Sequence, residues 1–270
     1  RQNFFYLEFM QSGGMLEAAL HGKANADLSA ELGQRVNHVE LDAIVANVLA
    51  QIDAMEAKAD QLNGCASKHA SLGCNVTVRY LAQVLRIWDP EEVYAQTVLA
   101  YKLIKADPRI VGLNFVAPED HPVALRDYKM HMGFIAEIGT MFPEQTQGIT
   151  LHSGELALGL VPPEHLGWHI TEAIEVAGAR RVGHAVDIAH TPELYELLKK
   201  MAKDGILVEI NLTSNDVILG VKYPDHPFEL YMEYNVPMAL STDDEGVSRI
   251  DLTHEYQRAA QTFNLSYARL

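Results

Sequence analysis

Short apolar runs alternate with longer amphipathic stretches along the whole chain, and this alternation limits the fold more than any other feature. A short β-rich run followed by a helical stretch and then another such run demands a parallel sheet with helices packed on its faces. Seven strands are predicted, at residues 4–10, 75–80, 110–116, 149–152, 181–184, 207–212 and 238–242. Several of the intervening helices have chemically marked ends. Asp89 and Pro90 open a helix over 91–106, Thr191 and Pro192 open one over 193–203 that Gly205 closes, and Gly178 closes one over 164–177. A long helix over about 31–62 carries Leu41, Ile44, Val45, Val48, Leu49, Ile52 and Met55 at helical spacing, a packing stripe rather than a cofactor box. A last helix covers 252–270.

With 270 residues, 48% of them apolar, the chain can bury one large core, and a (β/α)8 barrel of about 250 residues matches that size. A closed barrel of this kind needs eight strands. The expectation is therefore an α/β chain of the TIM (β/α)8 type, a single domain over 1–270 with a helical insertion around 31–74. Its first strand is expected upstream of Arg1, and its final helix to stop without a closing cap.

The 21 Lys and Arg against 36 Asp and Glu give a formal charge of −15, which repels phosphate backbones and anionic membrane surfaces. A neutral small molecule is the better partner. No stretch approaches the roughly 18 apolar residues of a membrane span, and no signal peptide opens the sequence. Cys65 and Cys74 lie in a short polar stretch whose spacing excludes a CxxC motif and allows either a loop disulfide or two free thiols. A disulfide would place the protein outside the cytoplasm, which tilts the expected location toward secreted or periplasmic.

In a barrel of parallel strands the chemistry collects at the carboxyl ends of the strands. The fourth strand delivers His152-Ser153-Gly154-Glu155, where a histidine can ligate a metal and the glycine lets the carboxylate three residues on face the same cavity. The fifth delivers His184 directly after an apolar run and Gly183. An isolated histidine there would be a satisfied core residue, but its position at a strand tip favours a functional one. The last delivers Asp243, Asp244 and Glu245 within one turn; such crowded carboxylates repel unless a cation neutralises them, and a divalent metal does so most simply. Glu245 alone suits a solvated loop or helix start. His165 and His169, spaced i, i+4, lack a nearby third ligand in sequence and read as surface residues, and His190 as part of a loop leading into the next helix.

The set HSGE (152–155), RVGHAV (181–186), EINLTSND (209–216) and ALSTDDEG (239–246) resembles the adenosine deaminase family, whose motifs occur in this order. The resemblance implies a barrel holding one zinc through an HxH pair on the first strand, a histidine on the fifth and an aspartate on the eighth. Carried over, His152 and Asp243 are zinc ligands. Glu155 matches the acid that protonates purine N1, His184 the residue that orients and deprotonates the metal's water, and Asp244 the acid that hydrogen-bonds N7. No HxH pair occurs in this sequence, so two further histidine ligands are expected upstream of Arg1. The family more often has Asp at Asn114 and Gly at Ala117; that glycine contacts the purine through its backbone N–H, which alanine retains.

The implied reaction is hydrolytic deamination of adenosine, and of 2′-deoxyadenosine, to inosine and ammonia. A related 6-aminopurine nucleotide is the alternative substrate, although the expected phosphate-binding cluster is not evident. An adenosine-binding or extracellular signalling barrel without turnover is the other alternative. The cytidine-deaminase type of zinc fold is disfavoured, because its P-C-x-x-C signature is absent.

Overall fold

A computed structural model describes residues 4–270. The chain forms two compact units, one running to Val116 and including Gly133–Gly148, the other comprising Ala117–Met132 and Ile149–Leu270.

The first unit holds a parallel three-stranded sheet of β1 (Tyr6–Gln11), β2 (Thr77–Leu85) and β3 (Ile110–Val116), in that order, with Tyr6 opposite Thr77 and Tyr80 opposite Ile110. β3 has the predicted bounds and is buried almost throughout. Gly112 is required within it, because a Cβ there would lie 2.0 Å from the Gly148 carbonyl oxygen. Helix α1 (Met15–Asn25) follows β1, and α3 (Pro90–Ala106) follows β2. In α3, Asp89 and Glu92 form a capping box and Pro90 supplies the first turn, as the sequence signals.

The long helix α2 (His38–Asn63) starts later than predicted. Residues 32–34 make a separate 3₁₀ turn, and Asn37 caps the helix by accepting the Val39 N–H. Of the predicted stripe, Leu41, Val45, Val48 and Ile52 are buried, whereas Met55 is exposed. Arg109 ties α2 down, its guanidinium reaching Asp53 and Glu56 while also pairing with Asp107. β2 begins later than predicted because residues 72–75 form another 3₁₀ turn. Cys65 and Cys74 are joined in a disulfide, which settles the choice left open by their spacing. No helix among the described residues is long and apolar enough to cross a membrane.

The second unit holds β4 (Thr150–Ser153), β5 (Arg181–His184), β6 (Leu207–Ile210) and β7 (Met238–Leu240), all parallel and in sequence order. Ser153 lies opposite His184 and Ile210 opposite Leu240, so the four carboxyl ends share one edge. Helix α4 (Pro122–Gly139) precedes β4; α5 (His169–Glu175), α6 (Leu194–Asp204), α7 (Leu212–Leu219) and α8 (Phe228–Glu233) connect the strands; α9 (Glu245–Ser248) and α10 (Leu252–Thr262) follow β7.

The predicted helix over 164–177 is instead a 3₁₀ turn at Pro163–His165 followed by the short α5. Gly167 breaks it at φ 79°, where a Cβ would fall 2.1 Å from the His190 carbonyl oxygen. α10 stops at Thr262 rather than 270, with Asn264 turning left-handed at φ 50°.

Candidate active site

The shared edge of the second unit gathers the predicted residues. His152 at the end of β4 and His184 at the end of β5 hold their rings 5.2 Å apart between centroids. Asp243 sits in the turn after β7, and one donor atom each from His152, His184 and Asp243 lies within 4.8 Å of the other two. Two ring nitrogens and a carboxylate oxygen converging in this way form a donor set that suits zinc. The Nε2 atom of His184 is 3.9 Å from Asp243 Oδ2, and its Nδ1 atom is 3.6 Å from Glu155 Oε1. Asp244, the next residue, caps α9 and is exposed. Its carboxyl is nonetheless held above the usual range, first by partial desolvation and then by the charge of Asp243.

These turns share a backbone signature. Ala117 after β3, Gly154 after β4, His184 and Ala185 at the end of β5, and Asp243 after β7 all have positive φ, from 47° to 80°. Each non-glycine residue in that conformation costs about 1–2 kcal/mol, so the surrounding contacts must hold it. They are visible here: the Tyr231 hydroxyl on α8 donates to the Ala185 carbonyl at 2.5 Å, and Ser214 on α7 donates to Asp243 Oδ2 at 2.7 Å. Helix α10 in turn pins α7, since Glu255 accepts from both the Thr213 N–H and its hydroxyl.

Several residues around the site were not picked out from the sequence. Asn215 lies 2.8 Å from His184 Nδ1, and the other end of its amide lies 2.9 Å from His226 Nε2. The Nδ1 atom of His226 accepts the Phe228 N–H. The signal for Asn211, Ser214 and Asn215 was the polar run directly after the apolar β6. Nothing comparable marked His226, Glu119 or Asp187.

His169, read from sequence as a surface residue, is fully buried. It stacks on Tyr128, with ring centroids 4.0 Å apart, and its Nδ1 is 2.5 Å from Glu119 Oε1. His165 is only half-buried and His190 is exposed. Near Glu119, burial pushes the Asp187 carboxyl up to about 6, against the hydrogen bond it accepts from the Gly167 N–H.

Burial also pushes His226 down to about 4, aided by the positive charge of Arg258 and by His184. An unfolded histidine takes up its proton near pH 6.5, and the folded one does so only near pH 4. The unfolded state therefore binds more protons in that window. Stability from this group is full above pH 6.5 and is lost as pH falls toward 4, by up to about 3 kcal/mol. In His226→Gln, denaturant unfolding at stepped pH should show this acid-side slope reduced. An unchanged slope would mean that His226 is not held neutral.

A sequence profile described as adenosine deaminase matches residues 27–270, through both units. An adenosine deaminase from Clostridium perfringens strain 13 is 37% identical over 171 residues, which are 62% of this chain and 46% of that protein. The chain thus spans about half the length of the curated relatives it matches. An adenine deaminase structure from Arthrobacter aurescens superposes with a TM-score of 0.57 at 16% identity, covering 98% of this chain and 64% of that one. An amidohydrolase from Burkholderia ambifaria, solved with bound Zn, gives a TM-score of 0.51 at 18% identity, covering 72% of this chain and 49% of that one. At such identities the structural likeness speaks for the fold alone, and it bears out the expected α/β class of TIM type. With the profile matched over most of its length, the chain belongs to the adenosine deaminase family.

Proposed function

We propose that this chain carries the catalytic site of a zinc-dependent hydrolase that converts adenosine, and 2′-deoxyadenosine, to inosine and ammonia. The observation that carries the reading is the convergence of His152, His184 and Asp243 at one strand edge, with the Glu155 carboxylate 3.6 Å from His184. The profile match runs through both units, and we read the chain as one deaminase domain with the segment around 31–74 as an insertion.

The donor set fits zinc, with His152 and Asp243 as ligands. A zinc ion held there would lower the pKa of a bound water to about 7 and so supply a nucleophile at neutral pH. His184 Nε2 stands 3.9 Å from Asp243 Oδ2, at the same strand edge, and we read it as the partner of the attacking water.

Deamination adds water at purine C6 and releases the amino group, so one proton must leave the water and one must reach the ring. His184 Nε2 takes the first, its ring held from the Nδ1 side by Asn215. Glu155, entering protonated, gives the second to N1; as the C6–N bond breaks, the proton held by His184 goes to the amino group, which leaves as ammonia, and the C6 hydroxyl returns a proton to Glu155. N7 is an acceptor, so Asp244 can bond it only when protonated, and the upward push on its carboxyl favours that form. The Ala117 backbone N–H supplies a further contact to the purine.

Intact protein supplied with zinc and adenosine should release inosine and ammonia in equal amounts. Adenosine bound at one per chain with no inosine formed would overturn the proposal in favour of a binding or signalling barrel. Turnover of a 6-aminopurine nucleotide but not of adenosine would overturn the substrate assignment.

A further inference from the structure

We propose that Glu119 is a positioning residue whose carboxylate, backed by His169, locks the turn that carries Glu155. The inference rests on the reading of Glu155 as the proton donor to the purine.

Glu119 follows β3, 35 residues before Gly154, and is 1% exposed. Its Oε1 accepts the Gly154 N–H at 3.0 Å and its Oε2 accepts the Glu155 N–H at 2.9 Å. His169 Nδ1 approaches Oε1 from the other side at 2.5 Å, and the His169 ring is itself held between Tyr128 and Trp168. Two successive N–H groups converge on one anion where a left-handed residue lies between or beside them, and Gly154 has that conformation at φ 73°. With His169 Nδ1 carrying its proton, three donors meet the two oxygens and Glu119 works as a pure acceptor. Burying a carboxylate costs several kcal/mol unless it is fully hydrogen-bonded. A turn that only needed closing would be served by water or a neutral side chain.

The consequence is local. The N–H of Glu155 is fixed by a rigid, buried acceptor, while its side chain runs toward His184. Glutamine at 119 has the same shape but only one acceptor, and its NH₂ would oppose one of the two backbone N–H groups. The turn would then shift, and a misplacement of about 1 Å in a reacting group can cost about 10²-fold in rate.

The test is steady-state turnover of adenosine by zinc-loaded Glu119→Gln, Glu155→Gln and the double variant, with folding checked by circular dichroism and zinc measured in each. Glu119→Gln should lose roughly 10–100-fold in kcat with KM changed less than about threefold. In the Glu155→Gln background the same change should cost less than about threefold, because the group it positions is already gone. Losses that multiply in the double variant would mean that Glu119 acts through general stability, and would overturn the inference. So would a normal kcat in Glu119→Gln beside a slow Glu155→Gln. A normal Glu155→Gln would overturn the assignment of the proton donor, and this inference with it. Should Glu119→Gln not fold, Glu119→Asp keeps both acceptors on a shorter arm and should show a smaller loss in kcat with the same non-additivity.

Discussion

Glu155→Gln is expected to lower the turnover of adenosine by about 10²–10⁴-fold, the range in which a positioned general acid contributes. That corresponds to about 2.7–5.5 kcal/mol of transition-state stabilisation. Glutamine keeps the length and shape of the side chain and can still donate a hydrogen bond to purine N1, so ground-state binding should survive. What it cannot do is transfer the proton. The loss should therefore fall on kcat, with the affinity for a non-hydrolysed purine nucleoside nearly unchanged. Both can be read on one preparation, kcat from inosine formation and affinity from equilibrium binding. Glu155 is not among the proposed zinc ligands, His152 and Asp243, so zinc content should stay at the wild-type level. Near-normal turnover with zinc in place would end the role proposed for Glu155.

The sequence made the strand tips legible because each tip is a local event. His152, His184 and Asp243 each follow an apolar run directly, and the parallel register then brings them to one edge. β3 and β5 match their predicted bounds for the same reason, since turn-forming residues flank both runs. The helix over 164–177 failed because what breaks it is distant. Gly167 is pressed against the His190 carbonyl and bonded to Asp187, neither of which a helical periodicity can reveal.

His169 was misread on the same ground. Its spacing from His165 is a helix-surface pattern, whereas its partner Glu119 lies 50 residues away. The layer behind the site, Glu119, Asp187, Asn215 and His226, is tertiary throughout, and only the polar run after β6 hinted at part of it. Ala117 shows the reverse case. The glycine more frequent at that position in the family marks a backbone need, and the structure puts Ala117 at φ 80°, where glycine would be unstrained.

Gly154→Ala should both destabilise the protein and slow it. At φ 73° any side chain costs about 1–2 kcal/mol. The new Cβ would also lie 2.5 Å from Asp187 Oδ1 and 2.7 Å from Ile170 Cδ1, and overpacking of this kind costs about 1–3 kcal/mol. Together these come to about 2–5 kcal/mol. For a chain of this size that means a melting temperature lower by roughly 5–15 °C. Relief has few routes. Asp187 is held by the Gly167 N–H at 2.8 Å, Ile170 is buried, and Gly154 itself is tied to Glu119. If Gly154 gives way, the Glu155 turn moves with it and kcat falls as it does in Glu119→Gln. Gly205→Ala separates the two causes, because Gly205 has φ 69° but nothing within 4 Å of the added Cβ. It should cost only about 1 kcal/mol and leave kcat unchanged. Equal losses in the two variants would mean that backbone conformation alone makes Gly154 necessary. A larger loss of stability in Gly154→Ala, with kcat falling beside it, would tie the glycine to the packing that aims Glu155.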